Sequence, residues 1–233
     1  MNQFPRAFKN RILESLPQAE IDRIAPHLSH VTLAQHELLL DGKPTHGYFL
    51  ESGIASVVIT LGNGETVETG LVGVDGVVGV PILLGGQTAP GRTFVQIAGS
   101  AYRIPAAKLK EEFERTSEFR QRLEKYVQSC LVETAQTAAC NRLHTTEERL
   151  ARWLLVCRDR METDELRLTH EFLGQMLGEP RTTVTLAAGL LHRAGMIDFK
   201  RGTVTIVNRG QLESSACECY HTVRDSSSLL GAL

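Results

Sequence analysis

The 233-residue sequence has no long hydrophobic run and no marked excess of either charge. No stretch approaches the roughly 18 apolar residues of a membrane-spanning helix, and the N-terminal MNQFPRAFKN lacks the apolar segment of a signal peptide. We therefore expect a cytoplasmic protein with no membrane partner. The 25 Lys and Arg residues against 27 Asp and Glu give a formal net charge of −2. Any binding of nucleic acid must therefore depend on a local basic surface.

Motifs for enzymatic chemistry are missing as well. The sequence has no nucleophile elbow, no phosphate-binding loop and no paired-carboxylate motif, so nothing in it indicates an enzyme. The five cysteines stand at scattered spacings, and the first of them is Cys130. An odd number of cysteines in a cytoplasmic protein predicts reduced thiols rather than a disulfide framework.

Glycine is concentrated in the first half of the chain. From residue 31 to about 105, short β-type runs are separated by glycine-containing pairs, which supply the positive φ angles that hairpins require. The pairs are Ser52-Gly53, Asn63-Gly64, Asp75-Gly76 and Gly85-Gly86. The pattern predicts an antiparallel β-roll, preceded over residues 5–28 by a short helical segment.

The next segment, from Ala106 to Asn141, contains neither glycine nor proline and predicts one long helix. Residues 118–141 would extend about 36 Å. Its apolar and small side chains recur at three- and four-residue steps, which favours pairing with a second copy in a parallel dimer. The members of this stripe are Phe119, Leu123, Tyr126, Val127, Cys130, Leu131, Thr134 and Ala138. The alternative is a helix that packs on its own β domain.

A helix-turn-helix is predicted in the C-terminal third, after a further helix over residues 145–155. Thr169 is suited to cap a helix over residues 170–177 that ends at Gly178. A second helix opens at Pro180 and buries Val184, Ala187, Ala188 and Leu191. Two β-type runs around Lys200-Arg201-Gly202 then predict a wing. The small-residue, turn and branched-residue spacing of Gly174, Gly178 and Val184 is typical of this motif.

The exposed face of the second helix and the wing supply candidate DNA contacts. Arg181 is suited to bidentate hydrogen bonds with guanine O6 and N7, and His170 to a phosphate. Lys200 and Arg201 are placed for phosphates. The predicted set is Thr169, His170, Arg181, Thr182, Thr183, Thr185, Leu186, Lys200 and Arg201. The alternative is a winged helix used only for protein contact.

These features together predict an α+β protein with a β-roll sensor domain (residues 1–115), a dimerisation helix (116–143) and a winged helix-turn-helix domain (144–233). The segments YFLESG, VGVDGVVG, EERLARWLL and LTHEFLGQMLGEPRTTV, with the wing, resemble the cyclic AMP receptor protein and FNR (Crp/Fnr) family of bacterial transcription regulators. The resemblance implies a homodimer on a palindromic operator in double-stranded DNA, contact with RNA polymerase, and a roll that responds to an effector. A competing hypothesis is a nucleotide-sensing module that docks on a partner protein without binding DNA.

The resemblance also indicates an effector pocket. Nucleotide-binding members hold the ribose with a roll glutamate, and here that position is Val77, which accepts no hydrogen bond. The phosphate-binding pair is matched by Arg92-Thr93 and the adenine-contacting threonine by Thr134, while the adjacent serine is Ala135. The candidates are Gly76, Val77, Gly79, Arg92, Thr93 and Thr134. One alternative is that Arg92 is a surface arginine with no ligand. The other is that the protein is a regulator without any effector.

The cysteines suggest other chemistry. Oxygen-sensing members of the family need an N-terminal cysteine cluster, so we expect no iron–sulfur cluster here. Cys217, Cys219 and His221 lie within five residues, a spacing that a metal ion or a redox switch could use. Two further ligands are not near in sequence, which favours partly buried thiols without a metal. Cys130 and Cys140 leave an intersubunit disulfide or thiol sensor open.

Overall fold

The computed structural model describes residues 8–115 and 117–228. Contacts within the described chain divide it into two compact units. Among the described residues, one unit comprises 8–57, 72–115, 117–130 and 227–228, and the other comprises Val58–Leu71 and Leu131–Ser226. Residues 5–7 of the predicted helical segment lie outside the described residues. None of the described helices is both long and apolar enough to span a membrane.

The first part of the chain forms an antiparallel roll, as predicted. Helices α1 (Arg11–Glu14) and α2 (Gln18–Ile24) and a 3-10 turn (Ala25–His27) precede it. The strands are β1 (Ser29–Leu33), β2 (Leu38–Leu40), β3 (His46–Thr60), β4 (Thr66–Val72), β5 (Val77–Val78) and β6 (Arg92–Pro105), with helix α3 (Val80–Leu83) between β5 and β6. The sheet order is β1-β6-β3-β4, with β2 paired to β6 and β5 to β3.

The glycines of the roll have more than one role. Gly64 and Gly85 have φ angles of 87° and 73°, as the turn prediction requires. Gly53 is also positive, at 81°, but it lies inside β3, where a Cβ would stand 2.5 Å from the Ile97 carbonyl oxygen. Gly76 was expected to supply a positive φ, but it is not among the described glycines that have one, so that prediction is wrong. There a Cβ would stand 2.6 Å from the Tyr126 ring, so this glycine makes room for an aromatic side chain.

The prediction of one helix from residue 106 is also wrong, because the chain forms α4 (Ala106–Phe113) and α5 (Glu118–Leu143). Leu109 of α4 and Phe119 of α5 are both fully buried in the same apolar cluster. A continuous helix would carry Phe119 onward along the axis of α4. The break lets both side chains reach the core, and packing therefore sets it without glycine or proline.

The two ends of α5 have different surroundings. Phe119, Leu123 and Tyr126 are buried against the roll's apolar cluster, so packing on the chain's own β domain accounts for the first part of the stripe. Leu131 is 61% exposed, and Thr134 and Ala138 are exposed as well. The second part of the helix thus presents an uncovered row of apolar and small side chains.

The winged domain begins with α6 (Thr146–Met161), which Thr145 and Glu148 start with a reciprocal capping box. This helix extends beyond the predicted residue 155 to a left-handed cap at Glu162, whose φ is 55°. The other elements are β7 (Glu165–Arg167), α7 (His170–Leu177), α8 (Arg181–Arg193), β8 (Ile197–Lys200), β9 (Thr203–Ile206), α9 (Arg209–Ser215) and α10 (Cys219–Ser228). The small sheet has the order β7-β9-β8, so the predicted helix pair and wing are confirmed.

Candidate nucleic-acid interface

The turn between α7 and α8 is shaped by short local contacts. The Thr169 side chain accepts a hydrogen bond from the Phe172 backbone N–H at 3.2 Å and caps α7. Gly178 ends α7 in the left-handed conformation, with a φ of 63°. A Cβ at Gly174 would lie 2.8 Å from the Glu179 carbonyl oxygen. The turn can therefore fold back closely only because residue 174 has no side chain.

Arg149 of α6 binds two residues of this turn. Its guanidinium donates to the Leu177 carbonyl oxygen and pairs with the Glu179 carboxylate at 2.7 Å. The Arg149 side chain is 5% exposed. Sequence reasoning gave this residue no role, since its partners lie about thirty residues away and no local spacing signals them.

Helix α8 separates its faces as predicted. The side chains that pack inward are Val184, Ala187, Ala188 and Leu191. Arg181, Thr182 and Thr185 are exposed on the other face, where Leu186 is 71% exposed. Thr183 is half-buried between the two faces. The first two turns of α8 therefore present a cation, hydroxyl groups and an apolar group to solvent, which are the groups that read base edges in a major groove.

The cations around α8 differ in their availability. Among the residues that the structure describes, Arg181 forms no ion pair. Lys200 pairs with Asp198 at 2.6 Å, and the hydrogen bond between them raises the pKa of Lys200 and lowers that of Asp198. Arg201 stands at the tip of the wing with a φ of 49°, next to Gly202 at 78°. Two positive φ angles in a two-residue loop are those of a type I′ turn.

His170 joins the parts of the motif to one another. Its ring centroid lies 4.0 Å from that of Phe199 on the wing, and its Nδ1 lies 3.1 Å from the Thr185 hydroxyl. That hydroxyl donates to the Arg181 carbonyl oxygen at 2.8 Å, so it accepts from the ring. Burial, with the positive charge of Arg181, lowers the pKa of His170. The predicted phosphate contact would therefore have to use an imidazole that already contacts α8 through Thr185.

The roll candidates stand in different surroundings. Gly76 and Gly79 are buried, Val77 is fully buried within the apolar cluster, and Thr93 is 5% exposed. The Arg92 guanidinium is exposed and lies 4.0 Å from the Asp41 carboxylate. Thr134 is exposed on α5. Val77, the residue that the sequence resemblance matches to a ribose-binding glutamate, has only apolar side-chain atoms and is enclosed by the apolar cluster.

The C-terminal cysteines lie apart from this interface. Cys217 and Cys219 are close to Cys140 and His144, whereas His221 is exposed against the Tyr220 ring. A hydrogen bond from Cys217 lowers the pKa of the Cys140 thiol to about 5 and raises that of Cys217. Sequence reasoning missed Cys140 and His144 as partners. Their four-residue spacing on one helix face is a metal-binding signal, but the other two cysteines follow more than 70 residues later.

Residues 148–215 match the model of the Crp-like helix-turn-helix domain. No curated protein matches the sequence of this chain. A Crp/Fnr-family regulator from Eubacterium rectale is 18% identical, with a TM-score of 0.67 over 86% of this chain and 94% of that one. FixK2 from Bradyrhizobium japonicum is 18% identical, with a TM-score of 0.70 over 82% and 98%. The c-di-GMP-responsive regulator CLP of Xanthomonas campestris is 16% identical, with a TM-score of 0.65 over 82% and 99%. The chain thus carries a Crp-like helix-turn-helix domain and has the fold of the Crp/Fnr family of transcriptional regulators.

Proposed function

We propose that this protein is a cytoplasmic, sequence-specific transcription regulator that binds a palindromic operator as a homodimer. The observation that carries the proposal is the position of Arg181. This residue is exposed in the first turn of α8, and the opposite face of the same helix is buried. A rigid helix with a free guanidinium at its N-terminal end is suited to enter the major groove and bind guanine. Arg201 at the wing tip adds a cation for the flanking phosphates.

The homodimer is supported by the second half of α5. Leu131 is 61% exposed, and Thr134 and Ala138, three and seven residues further along the same helix face, are exposed as well. Apolar groups at helical spacing favour burial against a copy of the same helix, because small residues let two helices approach closely. Two recognition helices in such a dimer must stand about 34 Å apart, one turn of DNA, to read both half-sites.

The dimer is tested by sedimentation of the purified protein. Leu131→Glu should shift the protein from dimer to monomer, because two buried carboxylates would face each other across the seam. Leu84→Glu is the matched control, since Leu84 is similarly exposed, at 66%, in the roll. A wild-type protein that sediments as a monomer at micromolar concentration would exclude the dimer.

An effector response through the roll is the next part of the proposal. Val77 lies inside an apolar cluster and offers no group to a ribose, so cyclic AMP is not the effector we expect. The similarity to a c-di-GMP-responsive regulator makes that dinucleotide the first alternative to test, by calorimetric titration beside cyclic AMP. Contact with RNA polymerase is proposed on the same family likeness.

The DNA-binding proposal is tested by selecting binding sites from random duplex DNA with purified protein. We expect a palindrome with a guanine in each half-site. Arg181→Ala should weaken binding to that site by about 5- to 150-fold per half-site, the cost of about 1–3 kcal/mol for a bidentate base contact. Arg181→Lys should restore binding to unrelated DNA but not the preference for guanine, because lysine has no planar fork.

Arg193→Ala provides the matched control, since Arg193 is exposed at the opposite end of the same helix. It should change affinity far less than Arg181→Ala does. Selection that enriches no sequence would instead support the hypothesis of a winged domain that docks on a protein.

A further inference from the structure

Four potential metal ligands from distant parts of the sequence meet at one end of the winged domain. The Sγ atoms of Cys140, Cys217 and Cys219 and a ring nitrogen of His144 all lie within 4.8 Å of one another. The thiols of Cys140 and Cys217 are 3.5 Å apart. Cys219 Sγ lies 3.5 Å from His144 Nδ1. This cluster, the Cys3His cluster, plays no part in the DNA interface described above.

Local structure explains why the four groups point at one centre. Cys140 and His144 are one helical turn apart at the end of α5, and the His144 backbone N–H donates to the Cys140 carbonyl oxygen. Cys219 begins α10, and Cys217 lies two residues earlier in the connection from α9. The three cysteines are 0–4% exposed. The cluster is therefore closed to solvent on its thiol side.

The distances agree with tetrahedral coordination of a single ion. With Zn–S bonds of about 2.3 Å, two thiolates at the corners of a tetrahedron stand roughly 3.8 Å apart, close to the observed 3.5 Å. A covalent disulfide would require the two sulfur atoms to be about 2.05 Å apart. An iron–sulfur cluster would place its inorganic core between the thiolates and hold their sulfurs farther apart.

The surroundings of the cluster are those of a metal site. His144 directs Nδ1 toward the thiols, while its other nitrogen, Nε2, lies 3.3 Å from the Glu218 carboxylate. A carboxylate on the second nitrogen fixes the tautomer in which the first is free to bind a metal. The Gln136 side-chain amide donates to Cys219 Sγ at 3.1 Å, which orients that thiol and stabilises its charged form.

We propose that Cys140, His144, Cys217 and Cys219 bind one Zn²⁺ ion in a tetrahedral structural site. Three thiolates and one imidazole fill the coordination sphere and leave no open position for a substrate, as in structural rather than catalytic sites. The ion joins the end of α5 to the start of α10 and so fixes the C-terminal segment of the winged domain. His221 is not a ligand, although its sequence position made it a candidate.

The test uses the full-length protein, stripped of metal with a chelator under reducing conditions and titrated with Co²⁺. We expect saturation at one Co²⁺ per chain, with the visible bands of tetrahedral cobalt and a thiolate-to-cobalt charge-transfer band. One equivalent of Zn²⁺ should remove both, because thiolate-rich tetrahedral sites prefer zinc. The wild-type spectrum is decisive even if a variant fails to fold.

Matched variants identify the ligands. Cys217→Ser should lose about a third of the charge-transfer intensity, because one of three thiolate ligands is removed, whereas Cys130→Ser, on the same helix as Cys140, should keep all of it. His144→Ala should change the visible bands, whereas His221→Ala should not. Glu218→Gln should weaken binding by about 10-fold, as the loss of a partner outside the coordination shell does. Absence of tetrahedral bands in the wild type, or equal loss in Cys130→Ser and Cys217→Ser, would overturn the proposal.

Discussion

Glu133 on α5 and Arg160 on α6 form a bidentate ion pair, with N–O distances of 3.0 and 2.8 Å. Their side chains are 10% and 7% exposed, so both charges are largely removed from water. The pair fixes the angle at which α6 leaves the end of α5. In a dimer built on α5, that angle sets where each recognition helix lies.

Removing one member of this pair should be costly. Glu133→Ala removes the carboxylate that accepts two hydrogen bonds from the buried Arg160 guanidinium, and we expect a loss of about 3 kcal/mol in the free energy of unfolding. Arg158→Ala is the control, because Arg158 pairs with the half-exposed Asp164 and should cost less than about 1 kcal/mol. Urea denaturation measures both, and equal losses would show that burial of the pair is unimportant.

The wing tip places a proposed phosphate-binding residue, Arg201, on a strained backbone. Arg201 has a left-handed backbone conformation that asparagine adopts more readily. Arg201→Asn should therefore stabilise the domain by about 0.5 kcal/mol while it weakens DNA binding. The salt dependence of binding should fall by about one ion per chain. Lys200→Gln should have a smaller effect, because Asp198 already neutralises Lys200; an unchanged salt dependence in Arg201→Asn would contradict the phosphate contact.

His170 should make stability depend on pH in a defined window. Burial lowers its pKa in the folded protein, so the unfolded chain takes up the proton first, near the ordinary value of about 6.5. The stability due to the neutral ring is complete above that value and declines as the pH falls through it. Between about pH 7.5 and about pH 5.5, the free energy of unfolding of His170→Gln should depend less on pH than that of the wild type. Parallel profiles for the two proteins would refute the assignment.

Two glycines of the helix-turn-helix should respond in opposite directions to alanine. In Gly174→Ala the new Cβ would meet the Glu179 carbonyl oxygen at 2.8 Å, which forces the turn apart and should lower both stability and DNA affinity. In Gly189→Ala the Cβ would meet only the end of the Arg193 side chain, at 3.3 Å. That variant should gain up to about 1 kcal/mol from helix propensity. Thermal unfolding distinguishes the two.

The helix-turn-helix could be predicted from the sequence because its signals are local. Thr169, Gly178 and Pro180 mark the ends of the two helices through capping and backbone preference, and each acts within a few residues of its own position. The roll could be predicted as well, from its alternating strands and turns. The break between α4 and α5 could not, because it depends on where Leu109 and Phe119 meet in the core.

The residues that the sequence did not reveal, in the helix-turn-helix and in the Cys3His cluster, make contacts between distant segments of the chain. Arg149 supports the turn from another helix, and no spacing in the sequence relates it to Leu177 or Glu179. Cys217 and Cys219 were recognised as candidate ligands with His221, their neighbour in sequence. The fold instead supplies His144, because α10 begins beside the end of α5 and directs His221 to solvent.

The position of the Cys3His cluster bears on how the protein is made. Cys140 and Cys217 are 77 residues apart, and the helix-turn-helix and the wing lie in the loop between them. During synthesis the helix-turn-helix and the wing leave the ribosome before Cys217 and Cys219 do. The contacts of the cluster can therefore form only after Cys217 and Cys219 have been synthesised, and a chain truncated before residue 217 would contain α8 without the cluster.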